Sequence, residues 1–209
     1  MNRAIFIVDG LNLYHSLSDL HEPGAKWLDL RSLCCTYLSA AGQIRCEKAE
    51  LEKIHYFTAI PHHRSSSKVK RHTLYMNCLR SLDIEIHLGR FKEKEVYCSR
   101  CRRKFTAHEE KESDVAIGVE LLKQCHLDSF ETAILVTGDT DINPAVRTCK
   151  ELFPTKTIFF LFPYRRKNKE LQKIAPESMT IKPRAYFANQ LPDPFIGADG
   201  TRYTKPESW

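Results

Sequence analysis

Apolar residues in this chain fall into short runs separated by longer stretches with helical spacing. Residues 4–8 (Ala-Ile-Phe-Ile-Val) are apolar throughout, and residues 54–59, 133–136 and 157–162 are nearly so. Runs without a polar face predict strands buried on both sides, as in a parallel sheet covered by helices. Residues 84–88 predict a further strand with Ile84, Ile86 and Leu88 on one face. Between the runs, residues 28–40, 68–82, 113–125 and 144–152 carry apolar side chains at helical intervals, and Pro144 suits a first helical turn. The order β-α-β-α-β-α-β-α-β predicts an α/β fold: a three-layer α/β/α sandwich around a mainly parallel sheet of five or six strands. In such sheets, ligands bind at the carboxyl ends of the strands.

Composition narrows this picture. A chain of 209 residues with 42% hydrophobic content is long enough and apolar enough for one folded domain. Residues 1–190 are expected to form it, with a short strand near 180–181 and a short helix near 186–190. Five prolines beyond residue 175 break up regular structure, and a mobile Pro-rich tail is expected over 191–209. No apolar run reaches membrane-helix length. The first strand begins almost at once, with no signal-peptide layout, so a cytoplasmic protein with reduced thiols is expected. The formal charge of +6 permits a polyanionic partner without requiring one.

The candidate chemistry is acidic. Asp9 follows the first strand, in Ile-Val-Asp-Gly-Leu-Asn. Asp114 opens the helix before the fourth strand. Asp139 and Asp141 follow that strand, in Val-Thr-Gly-Asp-Thr-Asp. A carboxylate at the end of a buried strand is costly unless a cation or several donors meet it. Gathered at one sheet edge, these groups would suit Mg²⁺ or Mn²⁺ and the cleavage of phosphate esters. Asn12 could orient a phosphate or a water, and Thr137 could donate to a carboxylate. An isolated Asp-Gly or Thr-Gly-Asp would be only a turn or a cap. A phosphatase with an aspartyl nucleophile needs a second Asp two residues after the first, and Leu11 stands there.

Ile-Val-Asp-Gly-Leu-Asn-Leu-Tyr, Glu-Glu-Lys-Glu-Ser-Asp-Val-Ala-Ile and Val-Thr-Gly-Asp-Thr-Asp-Ile-Asn-Pro together resemble the NYN domain, of the PIN-like superfamily of metal-dependent ribonucleases. The resemblance spans about residues 3–190. It implies a Rossmann-like fold and Mg²⁺- or Mn²⁺-dependent hydrolysis of RNA, with Asp9, Asp114, Asp139 and Asp141 as metal carboxylates. It also implies Asn12 as the polar residue of the first motif and places Lys111 near the scissile phosphate. The leading expectation is an endoribonuclease acting on single-stranded RNA. The alternative is a non-catalytic RNA-binding or regulatory module that kept the pocket. Monomer and homodimer both stay open.

Two further features accompany the acidic stations. Cys98-Ser-Arg-Cys101 lies in a charged insert over about 90–108, too poor in apolar residues to fold by burial. With His108 it makes a candidate structural zinc clip, and His62, His63 and His87 are other donors in the sequence. Arg64, Lys68, Lys70 and Arg71, after the second strand, and Arg165 and Arg166, after the fifth, are candidate phosphate contacts for RNA.

Overall fold

The computed structural model describes residues 1–209. The chain runs through β1 (Asn2–Asp9), α1 (Gly10–Ser18), α2 (Leu30–Arg45), β2 (Ala49–Ala59), α3 (Ser66–Ser81), β3 (Glu85–Tyr97), β4 (Lys104–Lys111) and α4 (Ser113–His126). It continues through β5 (Thr132–Val136), α5 (Asn143–Leu152), β6 (Thr157–Phe162), α6 (Lys169–Ile174), β7 (Met179–Thr180), α7 (Pro183–Ala188), β8 (Phe195–Ile196) and β9 (Arg202–Tyr203).

Seven strands form one sheet in the order β4-β3-β2-β1-β5-β6-β7, parallel except for β4. The expected α/β class is observed. Every residue of β5 and every residue of β1 from Ala4 on is buried, which is why these runs carry no polar face. From β1 the chain first builds outward through β2 to β3. It then crosses back through α4 to the other side of β1, where β5 and β6 follow. Right-handed crossovers in opposite directions place the two helix groups on opposite faces. The strand order therefore reverses between β1 and β5, where the carboxyl ends of an open α/β sheet leave a crevice.

Local signals start the helices. Asp9 caps α1 by accepting from the Asn12 backbone N–H at 2.9 Å, and Asp29 caps α2 by accepting from Ser32 N–H at 2.8 Å. Pro144 lies in the first turn of α5. Helix α1 is an element that the apolar spacing did not announce.

The structure corrects three expectations. The sheet has seven strands where five or six were expected, because the insert adds β4 at one edge. The charged insert is an antiparallel ribbon, because β3 and β4 pair residue by residue from Arg90↔Lys111 to Tyr97↔Lys104. Backbone hydrogen bonds supply the shape that burial could not. Cross-strand pairs between Lys94 and Glu109 and between Lys104 and Glu95 line its flanks. The C-terminal segment is also packed where a mobile tail was expected. Strands β8 and β9 pair with each other, and Trp27 Nε1–H donates to the Pro192 carbonyl at 3.1 Å. The Trp209 ring lies 6.2 Å from that of Trp27 and 5.7 Å from that of Tyr75.

Half-burial of an indole against two aromatic rings is worth about 1–2 kcal/mol. Trp209→Ala should lower the urea midpoint by a corresponding amount. An unchanged midpoint would mean that this segment does not pack in solution.

Candidate active site

Two loops meet at the point where the strand order reverses. Val8 and Val136 are register partners, so the residues that follow them leave the sheet side by side. Thr137, buried behind them, joins the loops: its hydroxyl donates to Asp9 Oδ2 at 2.9 Å and accepts from the Asp139 N–H at 3.1 Å. Asn12 makes a second cross-link by accepting the Gly138 N–H at 3.2 Å through its side-chain oxygen. The chain packs too tightly here for side chains at either glycine. A Cβ on Gly10 would stand 2.5 Å from the Phe57 carbonyl oxygen, and one on Gly138 would stand 2.0 Å from that of Arg166.

The third wall comes from the ribbon. Strand β3 runs past the sheet edge, and β4 returns to it with Lys111 opposite Arg90. Glu112, at φ 80°, turns the chain into α4. Asp114 therefore sits in the first helical turn, where a helix N-terminus favours negative charge. The Ser113 hydroxyl donates to Glu110 Oε1. The resulting cleft, about 290 Å³, is lined by Asp9, Asn12, His15, Glu110, Ser113, Asp114, Asp139 and Arg166, with Leu11 as its one apolar wall.

Four carboxyl groups thus face one space, and none of them has an ion-pair partner within 4.0 Å. The nearby cations are engaged elsewhere. Lys111 binds Glu109 at 3.0 Å, and Arg166 binds Asp19 at 2.7 Å. Three of the four titrate above the ordinary carboxylate range. Burial raises Asp9, opposed by its hydrogen bonds from Asn12 and Thr137, and the charge of Asp139 raises it further. Burial also leads for Asp114, followed by the charges of Asp139, Asp9 and Asp141. Glu110 is raised first by burial, then by Asp9 and Asp114, against the Ser113 hydrogen bond.

The structure brings Asp9, Asn12, Asp114 and Asp139 to one cleft, with Thr137 beneath them. Asp141 is exposed and outside the lining, where its backbone N–H donates to Asp139 Oδ1 at 3.1 Å. Lys111 is displaced by strand alternation. On β4 it shares a side with Glu109, and Glu110 points the other way, into the cleft. Sequence reasoning missed Glu110. The alternation of His108-Glu109-Glu110-Lys111 was the signal that could have found it, had this stretch been read as a strand.

Among the basic residues, Arg64, Lys68 and Arg71 line a groove of about 550 Å³ beside the cleft. The two share Leu11, His15 and Glu110, and the groove is also lined by Tyr14, Tyr56, Tyr75 and Trp209. Lys70 is exposed and outside that lining. Arg165 stacks over the neighbouring Tyr164, 5.3 Å from its ring centre. Of the proposed zinc ligands, Cys98 and Cys101 occupy the tip of the ribbon. His108 lies four residues down β4 from Lys104, which at about 3.3 Å per residue puts it roughly 13 Å from the tip. His108 instead stacks on His63, with ring centres 4.0 Å apart. The three do not form a common ligand set, because an extended strand carries the imidazole away from the thiols.

The chain matches the NYN domain over residues 3–182. It is similar to the 6-hydroxy-3-succinoylpyridine 3-monooxygenase HspA of Pseudomonas putida, with 28% identity over 243 aligned positions that cover 99% of this chain and 75% of that protein. No solved structure matches it.

A carboxyl whose pKa is raised by folding favours the protonated, low-pH form, and its contribution to stability is lost as pH rises through the folded value. Neutralising one such group should therefore stabilise the metal-free protein at neutral pH. Asp114→Asn is expected to raise the melting temperature in EDTA by ~2 °C, about what 0.5–1 kcal/mol of relief gives at this size. The gain should shrink toward pH 4, and calorimetry across that range would reveal it.

Proposed function

We propose, on the premise that the chain belongs to the NYN domain family, that it is a divalent-metal-dependent endoribonuclease working in the acidic cleft. Membership of that family points to a nuclease-like function. The observation that carries the finer reading is the meeting of Asp9, Glu110, Asp114 and Asp139 without a counter-ion at the reversal of strand order. All-oxygen donors of this kind fit Mg²⁺ or Mn²⁺ and not a soft ion. Asp9, Asp114 and Asp139 would hold the ion, and a bound ion of this class supplies Lewis acidity and a more acidic water.

The chain's own residues do the remaining work. Thr137 fixes the orientation of Asp9, and Asn12 fixes the loop that carries Asp139. Glu110, raised in pKa and lining the cleft, is suited to hold and deliver a proton at the leaving oxygen. Arg64, Lys68 and Arg71 line a groove that opens into the cleft and supply contacts to successive phosphates of one strand. Tyr14, with Lys26 Nζ 4.8 Å over its ring, and Trp209, packed on Trp27 and Tyr75, line the same groove and would meet unstacked bases with their remaining exposed surface.

A second reading has one observation in its favour. The groove is partly aromatic and large enough for a small molecule, and the similar Pseudomonas protein is named for oxygenation of 6-hydroxy-3-succinoylpyridine. In that reading, a planar heteroaromatic acid lies among the tyrosines with its carboxylate on Arg64 or Arg71. Saturable binding of such a ring acid, with no cleavage of labelled single-stranded RNA in Mn²⁺ or Mg²⁺, would select it.

For the nuclease, Asp139→Asn should lower cleavage at least about 100-fold with an unchanged circular dichroism spectrum. Full activity in that variant would rule the mechanism out. Lys68→Ala and Arg71→Ala should each weaken RNA binding and flatten the dependence of log K on log salt by about 0.7. Filter binding at several salt concentrations measures this, and EDTA-insensitive binding with no cleavage would identify a non-catalytic module.

A further inference from the structure

A second cluster of potential ligands lies away from the acidic cleft, where β2 meets β3 under α4. His55 on β2 pairs in register with Glu85 on β3, and Phe57 pairs with His87 two residues further on. Alternation along the strands puts His55, Glu85 and His87 on one face of the sheet. His55 Nδ1 lies 3.1 Å from His87 Nε2. The Glu85 carboxylate places one oxygen 3.5 Å from His87 Nε2 and the other 3.7 Å from His55 Nδ1. Glu120, from α4, holds an oxygen 3.9 Å from the same His55 nitrogen.

The two imidazoles lie within hydrogen-bond distance of each other, whereas the carboxylate oxygens stand too far off for charge-assisted hydrogen bonds, which close to about 2.7–2.9 Å. These separations fit a different arrangement. Two donors that share a zinc-sized ion at about 2.0–2.2 Å each sit roughly 3–3.5 Å from one another, a spacing that the His55–His87 and Glu85–His87 pairs already have and that a small shift of the Glu85 carboxylate would give to His55. One ligand atom from each of the three residues falls within 4.8 Å of the others. The rings are also held in place. His87 stacks on Phe57 at 4.3 Å with 7° between planes, and His55 is 2% exposed. The facing charges are Glu85, Glu120 and Lys123, and Lys123 already binds Glu120 at 3.1 Å.

We propose that His55, Glu85 and His87 form a second metal centre, selective for a borderline transition ion of the zinc type and distinct from the acidic cleft. Two imidazole nitrogens and one carboxylate oxygen prefer such an ion to magnesium. The centre would clamp β2 to β3 just before β3 leaves the sheet as the ribbon. That strand pair and α4 set the positions of Glu110 and Asp114, so occupancy would stiffen one wall of the cleft without entering it.

The test uses the full chain with Cys98→Ser and Cys101→Ser, so that the thiols at the ribbon tip bind nothing. The protein is stripped with EDTA, desalted and titrated with Zn²⁺ against a chelating dye, then with Co²⁺ to read its visible absorption bands. One equivalent of Zn²⁺ is expected, resistant to millimolar Mg²⁺ and accompanied by a rise in melting temperature. Glu85→Gln, at a half-exposed position where folding is safe, and His87→Gln should each weaken binding at least about tenfold. Asp139→Asn should leave it unchanged. Failure of the parent to bind Zn²⁺, or unchanged affinity in Glu85→Gln, would overturn the proposal whatever becomes of the nuclease assignment.

Discussion

Uncompensated negative charge at the β1–β5 junction is the constraint around which the rest of the structure is arranged. Four carboxyl groups share a cleft of about 290 Å³, and the nearest cations are tied to other acids. A fold selected only for stability would place a lysine or arginine there, because burial and repulsion both raise the carboxyl pKa values. This fold holds the charges apart with neutral donors instead. The Thr137 and Ser113 hydroxyls and the Asn12 backbone N–H each donate to a carboxylate, and none carries a charge that would compete with an incoming cation. The glycines at positions 10 and 138 serve the same end, since any side chain there would push the two loops apart.

The ribbon shows how an exposed element can serve a buried site. Its flanks are largely charged and exposed, and its shape rests on backbone pairing. Its consequence lies at its base. Because β4 runs antiparallel back to the sheet edge, it delivers Glu110 and then, after one turn through a left-handed residue, Asp114 to the cleft. Two of the four carboxyls therefore depend on the register of a hairpin, and a slip of one residue would exchange Glu110 for Lys111 or Glu109.

Much of this was legible in the sequence, for a definite reason. Strands buried on both faces leave no alternation, so β1, β5 and β6 announced themselves as apolar runs. The residues that follow β1 and β5 could then be placed at one edge by topology alone. Asp9, Asn12 and Asp139 came within reach that way. Where structure rests on backbone pairing and not on burial, the sequence carried less. The ribbon has no apolar face to reveal its period, so Glu110 went unseen and His108 was grouped with the cysteine pair. The packing of Trp209 was hidden for a related reason. Its partners, Trp27 and Tyr75, lie far away in the chain, and prolines between residues 192 and 206 suggested a loose end.

The adjacency of the cleft to the basic groove adds a consequence that neither site has alone. A phosphate backbone is drawn to Arg64, Lys68 and Arg71 and repelled by the acids next to them. Over the cleft, that repulsion acts within a few ångströms and is little screened by salt, whereas attraction along the open groove is screened. In the proposed nuclease, a phosphodiester would dwell at the groove without a metal and enter the cleft only once cations had reversed its sign. Metal and substrate would then be positively coupled, each raising the other's affinity by the same factor. The basic groove would gather a polyanion, and the acidic cleft beside it would exclude that polyanion until a metal was bound.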